Sequence, residues 1–222
     1  MSSQPQRQGR LIIFVGPAGA GKTTLAHRLI GADRGRRGFS VSHTTRAIRP
    51  TEQNGSDYHF VTRAQFEAHL ADDAFLEWAL VHDNYYGTSR AEVDRHLAAG
   101  RDIFFDIDIQ GAINVHGQLG DQALLVFIVP PSWQVLVARL EGRGSETDKT
   151  LRRRLRTART ELRGLSKSPL PWHLIVNDAL DVAEQDLETL LTAQKPSPAD
   201  FSDLIASLCA DADADERAAD PT

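Results

Sequence analysis

Gly16, Pro17, Ala18, Gly19, Ala20, Gly21, Lys22 and Thr23 stand in the order GxxxxGK[ST], a spacing suited to holding phosphate. Glycines let successive backbone N–H groups turn inward around an anion, and a helix starting at the end of the loop adds positive potential there. Lys22 can reach β- and γ-phosphates, the Thr23 hydroxyl can bind Mg²⁺, and Thr24 opens the same helix. The rival dinucleotide fingerprint GxGxxG fails, because Thr24 occupies the place of its third glycine. The loop implies a nucleoside triphosphate.

A second polar set follows: Ser42, Arg46, Arg49 and Tyr58 in SHTTRAIRPTEQNGSDY, Glu77 in FLEWA, and Tyr86 and Thr88 in YYGTS. Two guanidinium forks with two phenols suit a phosphate monoester, since each arginine pairs two oxygens at once. Asp106 and Asp108 end the apolar run DIFFDID, where ligands collect at the carboxyl edge of a parallel sheet. Asp106 is placed to hold Mg²⁺ through water.

Arginine supplies 21 of the 25 basic residues in a chain of net charge −5. Eight of them (139, 143, 152, 153, 154, 156, 159 and 163) fall with Lys149 in residues 139–163, against acids at 141, 146, 148 and 161. An even spread would follow from codon composition alone, whereas this clustering points to an arm facing phosphate.

The elements that must position these groups are legible as apolar runs. Leu11–Val15 is a strand and Lys22 to about Ile30 a helix; further strands are expected at Asp102–Ile107, Ala123–Val129 and His173–Val176, separated by segments of helical length. That alternation predicts an α/β fold, a parallel sheet with helices on its faces. Between residues 40 and 89 the texture changes to short strand-like pieces, Tyr58–Val61 and Leu76–Val81, with turn signals between them. A strongly basic helix is expected over Thr150–Leu165. Past Leu191, Phe201, Leu204, Ile205, Leu208 and Cys209 share a helical face, with Ser197 as N-cap, Pro198 in the first turn and Asp200 completing a capping box. Such a helix docks on its own domain more often than on a partner. The acidic end ADADADERAADPT reads as a solvated tail without fixed structure.

Composition narrows the class. With 41% apolar and 25% charged residues, and no apolar run near the length of a bilayer, a membrane helix is not expected. The negative charge argues against a nucleic-acid coat. One cysteine, Cys209, forms no internal disulfide, and the eight histidines lack metal-ligand spacing. The opening residues carry no apolar export signal, so the cytoplasm is expected.

SVSHTTR, GSDYHFV, NYYGTS, DIDIQGA, VPPS and RLEGRG, in this order behind the phosphate loop, closely resemble the guanylate kinase family over about Arg10 to Leu191. The resemblance implies the P-loop nucleoside monophosphate kinase fold, with a core of residues 10–39 and 90–194, a β-rich GMP-binding insert at 40–89 and a helical lid at about 139–160. Residues 1–9 would be a disordered start, and 195–222 a linker, short helix and acidic tail.

It further implies ATP and GMP as substrates and Mg²⁺ as cofactor. ATP would bind at Gly16 to Thr24. Arg46, Arg49, Tyr58 and Tyr86 would hold the GMP phosphate, Ser42 and Thr88 would face guanine O6, and Glu77 with Asp108 would accept from N1–H and the 2-amino group. Lys22, Arg139, Arg143 and Arg154 would be the catalytic cations, with Thr23 and Asp106 at the metal. Closure of the insert and arm over both nucleotides is expected, because an exposed γ-phosphoryl group would be lost to water. The sequence departs from the family pattern at Ile48, where proline is usual, at Thr51, where glycine is usual, and at Ala18, where serine is common. The competing readings are a protein-binding module on the same fold, which would not need Lys22, Thr23 and the arm arginines, and a kinase for another phosphate acceptor, which would not need Ser42, Glu77 and Thr88.

Overall fold

The computed structural model describes residues 9–50, 52–81, 83–142, 148–193 and 201–219. In chain order the elements are β1 (Leu11–Val15), α1 (Lys22–Ala32), β2 (Arg37–Phe39), β3 (His43–Thr44), β4 (His59–Phe60), α2 (Arg63–Ala71), β5 (Phe75–Val81), β6 (Asn84–Ser89) and α3 (Arg90–Ala98). There follow β7 (Asp102–Asp106), α4 (Ile109–Leu119), β8 (Ala123–Val129), α5 (Trp133–Glu141), α6 (Asp148–Lys167), β9 (His173–Val176), α7 (Leu180–Thr192) and α8 (Ser202–Ala219). The sequence pattern places β1, β8 and β9 at the ends observed, and β7 one residue short of its expected end.

A five-stranded sheet runs in the order β2-β7-β1-β8-β9, with β2 parallel to β7 and β8 parallel to β9. Every residue of β1 and β8 is buried. Unbroken apolar runs such as LIIFV and ALLVFIV are what strands covered on both faces require. Two compact units form along the chain. One comprises the chain up to Ile13 with Ala32–Phe105 and Gln110–Leu124; the other comprises Phe14–Gly31, Asp106–Ile109 and everything from Leu125 on.

In the first unit, β2 is an addition to the expected strands. Three residues, RGF, carry no alternation to detect, and they are strand because their backbone completes β7, with Arg37 opposite Asp102 and Phe39 opposite Phe104. Asp102 is buried at the start of β7 and takes two hydrogen bonds from Arg10, to its backbone N–H (3.0 Å) and guanidinium (3.3 Å).

The segment 40–89 contains a second sheet, ordered β4-β3-β6-β5. It also contains a helix that the strand-like texture concealed. Thr62 and Gln65 form a reciprocal capping box that starts α2. Fully buried Phe66 on α2 stacks against Phe75 at 4.4 Å and Tyr85 at 5.0 Å. A Cβ at Gly87 would come within 2.8 Å of Phe66, so glycine there lets the helix lie close on the sheet. β5 and β6 form an antiparallel hairpin with Glu77 opposite Thr88, and Asp83 takes a positive φ of 65° at its turn, a conformation Asp tolerates.

In the second unit the acidic end of the chain differs from expectation. The capping residues foreseen at 197–200 lie outside the described residues, but α8 continues through the acidic run to Ala219. Ile205, Leu208 and Ala212 bury one stripe, and the acids continuing that face meet arginines of α6. The tail acquires structure because its charges are paired.

Candidate active site

The phosphate loop lies in the second unit and links β1 to α1. Gly16, Gly19 and Gly21 adopt φ of 136°, 91° and 92°, values that L side chains rarely tolerate. A Cβ on Gly16 would overlap the Ile128 carbonyl oxygen, and one on Gly21 the Asn177 side chain. Both glycines are thus required by conformation and by space. Buried Asn177, on the far side of the loop, donates to the Ala20 carbonyl at 2.7 Å. Nothing in the sequence motif marks this support, because it comes from the residue after β9.

Lys22 Nζ donates to the Gly16 carbonyl and lies 3.6 Å from Asp106 Oδ1. Thr23 Oγ1 donates to Asp106 Oδ2 at 3.4 Å. The lysine, hydroxyl and carboxylate expected at the triphosphate are brought together. Burial raises the Asp106 pKa, and Lys22 and Thr23 oppose that rise.

Sequence reasoning missed Glu161, which it counted only among the acids of the arm. From α6 it lies in electrostatic reach of Lys22, Asp106 and Asp108; burial lifts its pKa to about 7, opposed by Lys22 and reinforced by the two aspartates. Its Oε2 is buried without a hydrogen-bond partner. Asp106 and Glu161, both in electrostatic reach of Lys22 and the second with an orphaned oxygen, suit a hydrated divalent cation. Among the described residues no three Asp, Glu, His or Cys side chains are disposed to ligate one metal directly.

The expected arm arginines divide by environment. Arg139 is held by backbone, donating to the carbonyls of Asn177 (2.8 Å) and Asp178 (3.1 Å). Arg143 lies outside the described residues. Arg154 is half-buried on α6. Lys149, Arg152, Arg153 and Arg156 line an open groove along the outer face of α6. Arg159 and Arg163, counted in the cluster expected to face phosphate, instead pair with α8.

The second polar set gathers within the first unit. Thr88 Oγ1 donates to Glu77 Oε1 at 3.2 Å and lies 3.2 Å from Ser42 Oγ. The only hydroxyl proton of Thr88 goes to the carboxylate, so Ser42 donates to Thr88. The three groups thereby form one hydrogen-bonded chain, brought together by the β5–β6 register and the pairing of β3 with β6.

Nearby, Arg46 Nη1 and Nη2 donate to Glu52 at 3.0 and 2.7 Å, and the guanidinium stands 5.5 Å over the Tyr58 ring. Tyr58 meets Tyr86 edge to face at 5.9 Å, and Tyr86 helps raise the Arg46 pKa. Exposed Arg49 is 4.0 Å from Glu52 and donates its backbone N–H to it at 2.9 Å. Ile48, one of the departures, is exposed and leaves this cluster intact; Thr51 lies outside the described residues. Glu52, the residue missed here, is the shared acidic partner of both arginines.

Known proteins of similar sequence identify the family. The family model described as guanylate kinase matches residues 8–194. The guanylate kinase of Chromohalobacter salexigens is 46% identical over 195 residues, covering 88% of this chain and 88% of that protein. That of Caulobacter vibrioides is 42% identical over 194 residues, covering 87% and 89%. The crystal structure of guanylate kinase from Anaplasma phagocytophilum superposes with a TM-score of 0.64 at 26% identity, covering 84% of this chain and 86% of its own. A family model that matches nearly the whole of residues 9–193, together with relatives 42–46% identical over most of their length, means that the chain belongs to the guanylate kinase family.

Proposed function

We propose that this chain transfers the γ-phosphoryl group of ATP to GMP, and to dGMP, giving ADP and GDP or dGDP. The observation that carries the acceptor assignment is the hydrogen-bonded chain Ser42–Thr88–Glu77. A carboxylate has acceptor capacity beyond its bond from Thr88, and guanine presents two adjacent donors, N1–H and the 2-amino group. Adenine presents an acceptor at N1 and nothing at C2. Each unpaired buried polar group costs about 1–3 kcal/mol, so two mismatches favour guanine by roughly a thousandfold. Asp108 would be a second acceptor for the base.

In this reading Arg46, Arg49, Tyr58 and Tyr86 bind the GMP phosphate, which displaces Glu52 from the arginine forks. Gly16, Pro17, Ala18, Gly19, Ala20, Gly21 and Thr24 cradle ATP, and Lys22 neutralises its β- and γ-oxygens. Arg139, Arg143 and Arg154 stabilise the charge that spreads as the phosphoryl group moves. Thr23, Asp106 and Glu161 would hold hydrated Mg²⁺, which when bound screens the triphosphate charge. No general base is needed, because a phosphate monoester with second pKa ~6 is largely dianionic at neutral pH. Catalysis rests on holding two repelling anions in line and on fixed positive charge. Intact Lys22, Thr23 and Arg154 favour this over a binding module. Supply of ATP and GMP would place the reaction in the cytoplasm.

A coupled assay of ADP release against a panel of nucleoside monophosphates tests the reading. Turnover with GMP well above that with AMP, CMP or UMP is expected; ADP release no faster with GMP than without acceptor would overturn it.

A further inference from the structure

Helix α8 lies beyond the stretch that the family model matches, which ends at residue 194. It is nevertheless built into the second unit. Ile205, Leu208 and Ala212 recur at helical spacing and are 6%, 2% and 1% exposed, so one stripe of α8 is core. The same face ends in carboxylates. Arg159 on α6, 7% exposed, donates Nε to the Ala212 carbonyl at 3.0 Å and Nη2 to Asp215 Oδ2 at 2.8 Å, while its Nη1 is 4.0 Å from Glu216. Its guanidinium also sits 5.1 Å over the ring of buried Trp133 on α5. One turn further on, Arg163 pairs with Asp213 and Glu216.

A buried guanidinium needs every one of these partners, since an uncompensated buried charge is strongly destabilising. Two of the three kinds of partner, the carboxylates and the Ala212 carbonyl, come from α8 alone. Between the α5 ring and the α8 acids, Arg159 is a rivet through three helices. It fixes the half of α6 on which Glu161 stands beside Lys22, and it lies five residues, about 7.5 Å of helix rise, from Arg154.

We infer that α8 is a positioning element of the ATP site: through Asp215 and Arg159 it holds α6 so that Glu161 and Arg154 are set for the triphosphate. The inference rests on the proposed ATP role of α6. A helix of this kind acts by removing the disorder that ATP binding would otherwise have to overcome. Its loss is expected to show in ATP affinity far more than in GMP affinity, because every group assigned to GMP except Asp108 belongs to the first unit.

The test uses the full-length protein with Asp215→Asn, which keeps size and removes charge, and Asp215→Glu, which restores it. Initial rates are measured with ATP and GMP varied separately, and backbone hydrogen exchange is followed in residues 148–167. The expected result for Asp215→Asn is a KM for ATP raised about fivefold with KM for GMP within about twofold, faster exchange in α6, and recovery of both in Asp215→Glu. Unchanged exchange in α6 would overturn the clasp, and that measurement needs no turnover. Faster exchange with unchanged KM for ATP, or an equal rise in both KM values, would reduce α8 to a merely structural prop. Absence of GMP-dependent turnover in the unaltered protein would instead defeat the proposed function, and the exchange data would still decide the clasp.

Discussion

The Arg46 guanidinium is bound by the Glu52 carboxylate through two parallel hydrogen bonds of 3.0 and 2.7 Å, and the same carboxylate accepts the Arg49 backbone N–H at 2.9 Å. One acid thus shapes a loop whose two cations are assigned to an incoming phosphate. It raises the Arg46 pKa and lowers its own by the same hydrogen bond. Glu52→Ala should release the loop and raise KM for GMP by roughly tenfold with little change in KM for ATP, the pattern of lost preorganisation on one side of the reaction. Initial-rate kinetics with each substrate varied check it; a lower KM for GMP would show that Glu52 acts mainly as a competitor.

Lys22 is held between the Gly16 carbonyl and Asp106. Lys22→Met keeps the aliphatic stem and removes the charge. A folded protein by circular dichroism is expected, with phosphoryl transfer reduced by about three orders of magnitude or more, as for loss of a major transition-state cation. Near-normal turnover would defeat the assignment of the loop.

Glu77 joins Thr88 at 3.2 Å. Glu77→Gln presents an amide to guanine where the site offered two acceptors, which places a donor against a donor. KM for GMP should rise by roughly a hundredfold, about 3 kcal/mol, while binding of ATP is unchanged. Equal weakening of both nucleotides would contradict a base-reading role.

Asn177 supports the phosphate loop through the Ala20 carbonyl at 2.7 Å and is 5% exposed. Asn177→Ala leaves that carbonyl without its donor in a buried place. A stability loss of about 1–3 kcal/mol in urea unfolding is expected, together with weaker ATP binding. An unchanged unfolding midpoint would show that solvent replaces the amide without cost.

His43 is packed on His59 at 4.7 Å, His69 at 5.5 Å and Phe75 at 5.5 Å between ring centroids, and Glu92 lies 3.6 Å from His59. Burial, assisted by the two neighbouring histidines, lowers its pKa from 6.5 to about 4. The unfolded chain therefore binds the proton more tightly than the folded one. The stabilising contribution is complete above 6.5 and is lost as pH falls toward 4. Replacing His43 with Phe should flatten the fall in unfolding free energy between about pH 7 and about pH 4.5; a slope equal to that of the unaltered protein would place the titration elsewhere.

Much of the site was legible because its chemistry is local. The phosphate loop is one contiguous run whose glycine spacing is itself the mechanism, and β1 and β8 are apolar runs long enough to leave no other reading. Arg46 and Arg49 are close in sequence, as are Tyr86 and Thr88, so their grouping needed no fold. β2 was hidden because three residues carry no period, and α2 because its capping box sits among strand-like aromatics.

What the amino-acid sequence determined alone was the kind of chemistry: a triphosphate cradle, an arginine-rich phosphate set and a buried parallel sheet, all encoded by neighbours a few residues apart. Only the tertiary structure decided which distant groups complete them. Glu161 reaches Lys22 across 139 positions, Asn177 reaches Ala20 across 157, and an acidic stretch that reads as solvated becomes helix because Arg159 and Arg163 are waiting for its charges. Burial and charge pairing between segments remote in the chain depend on where the backbone brings them, and no local periodicity records that.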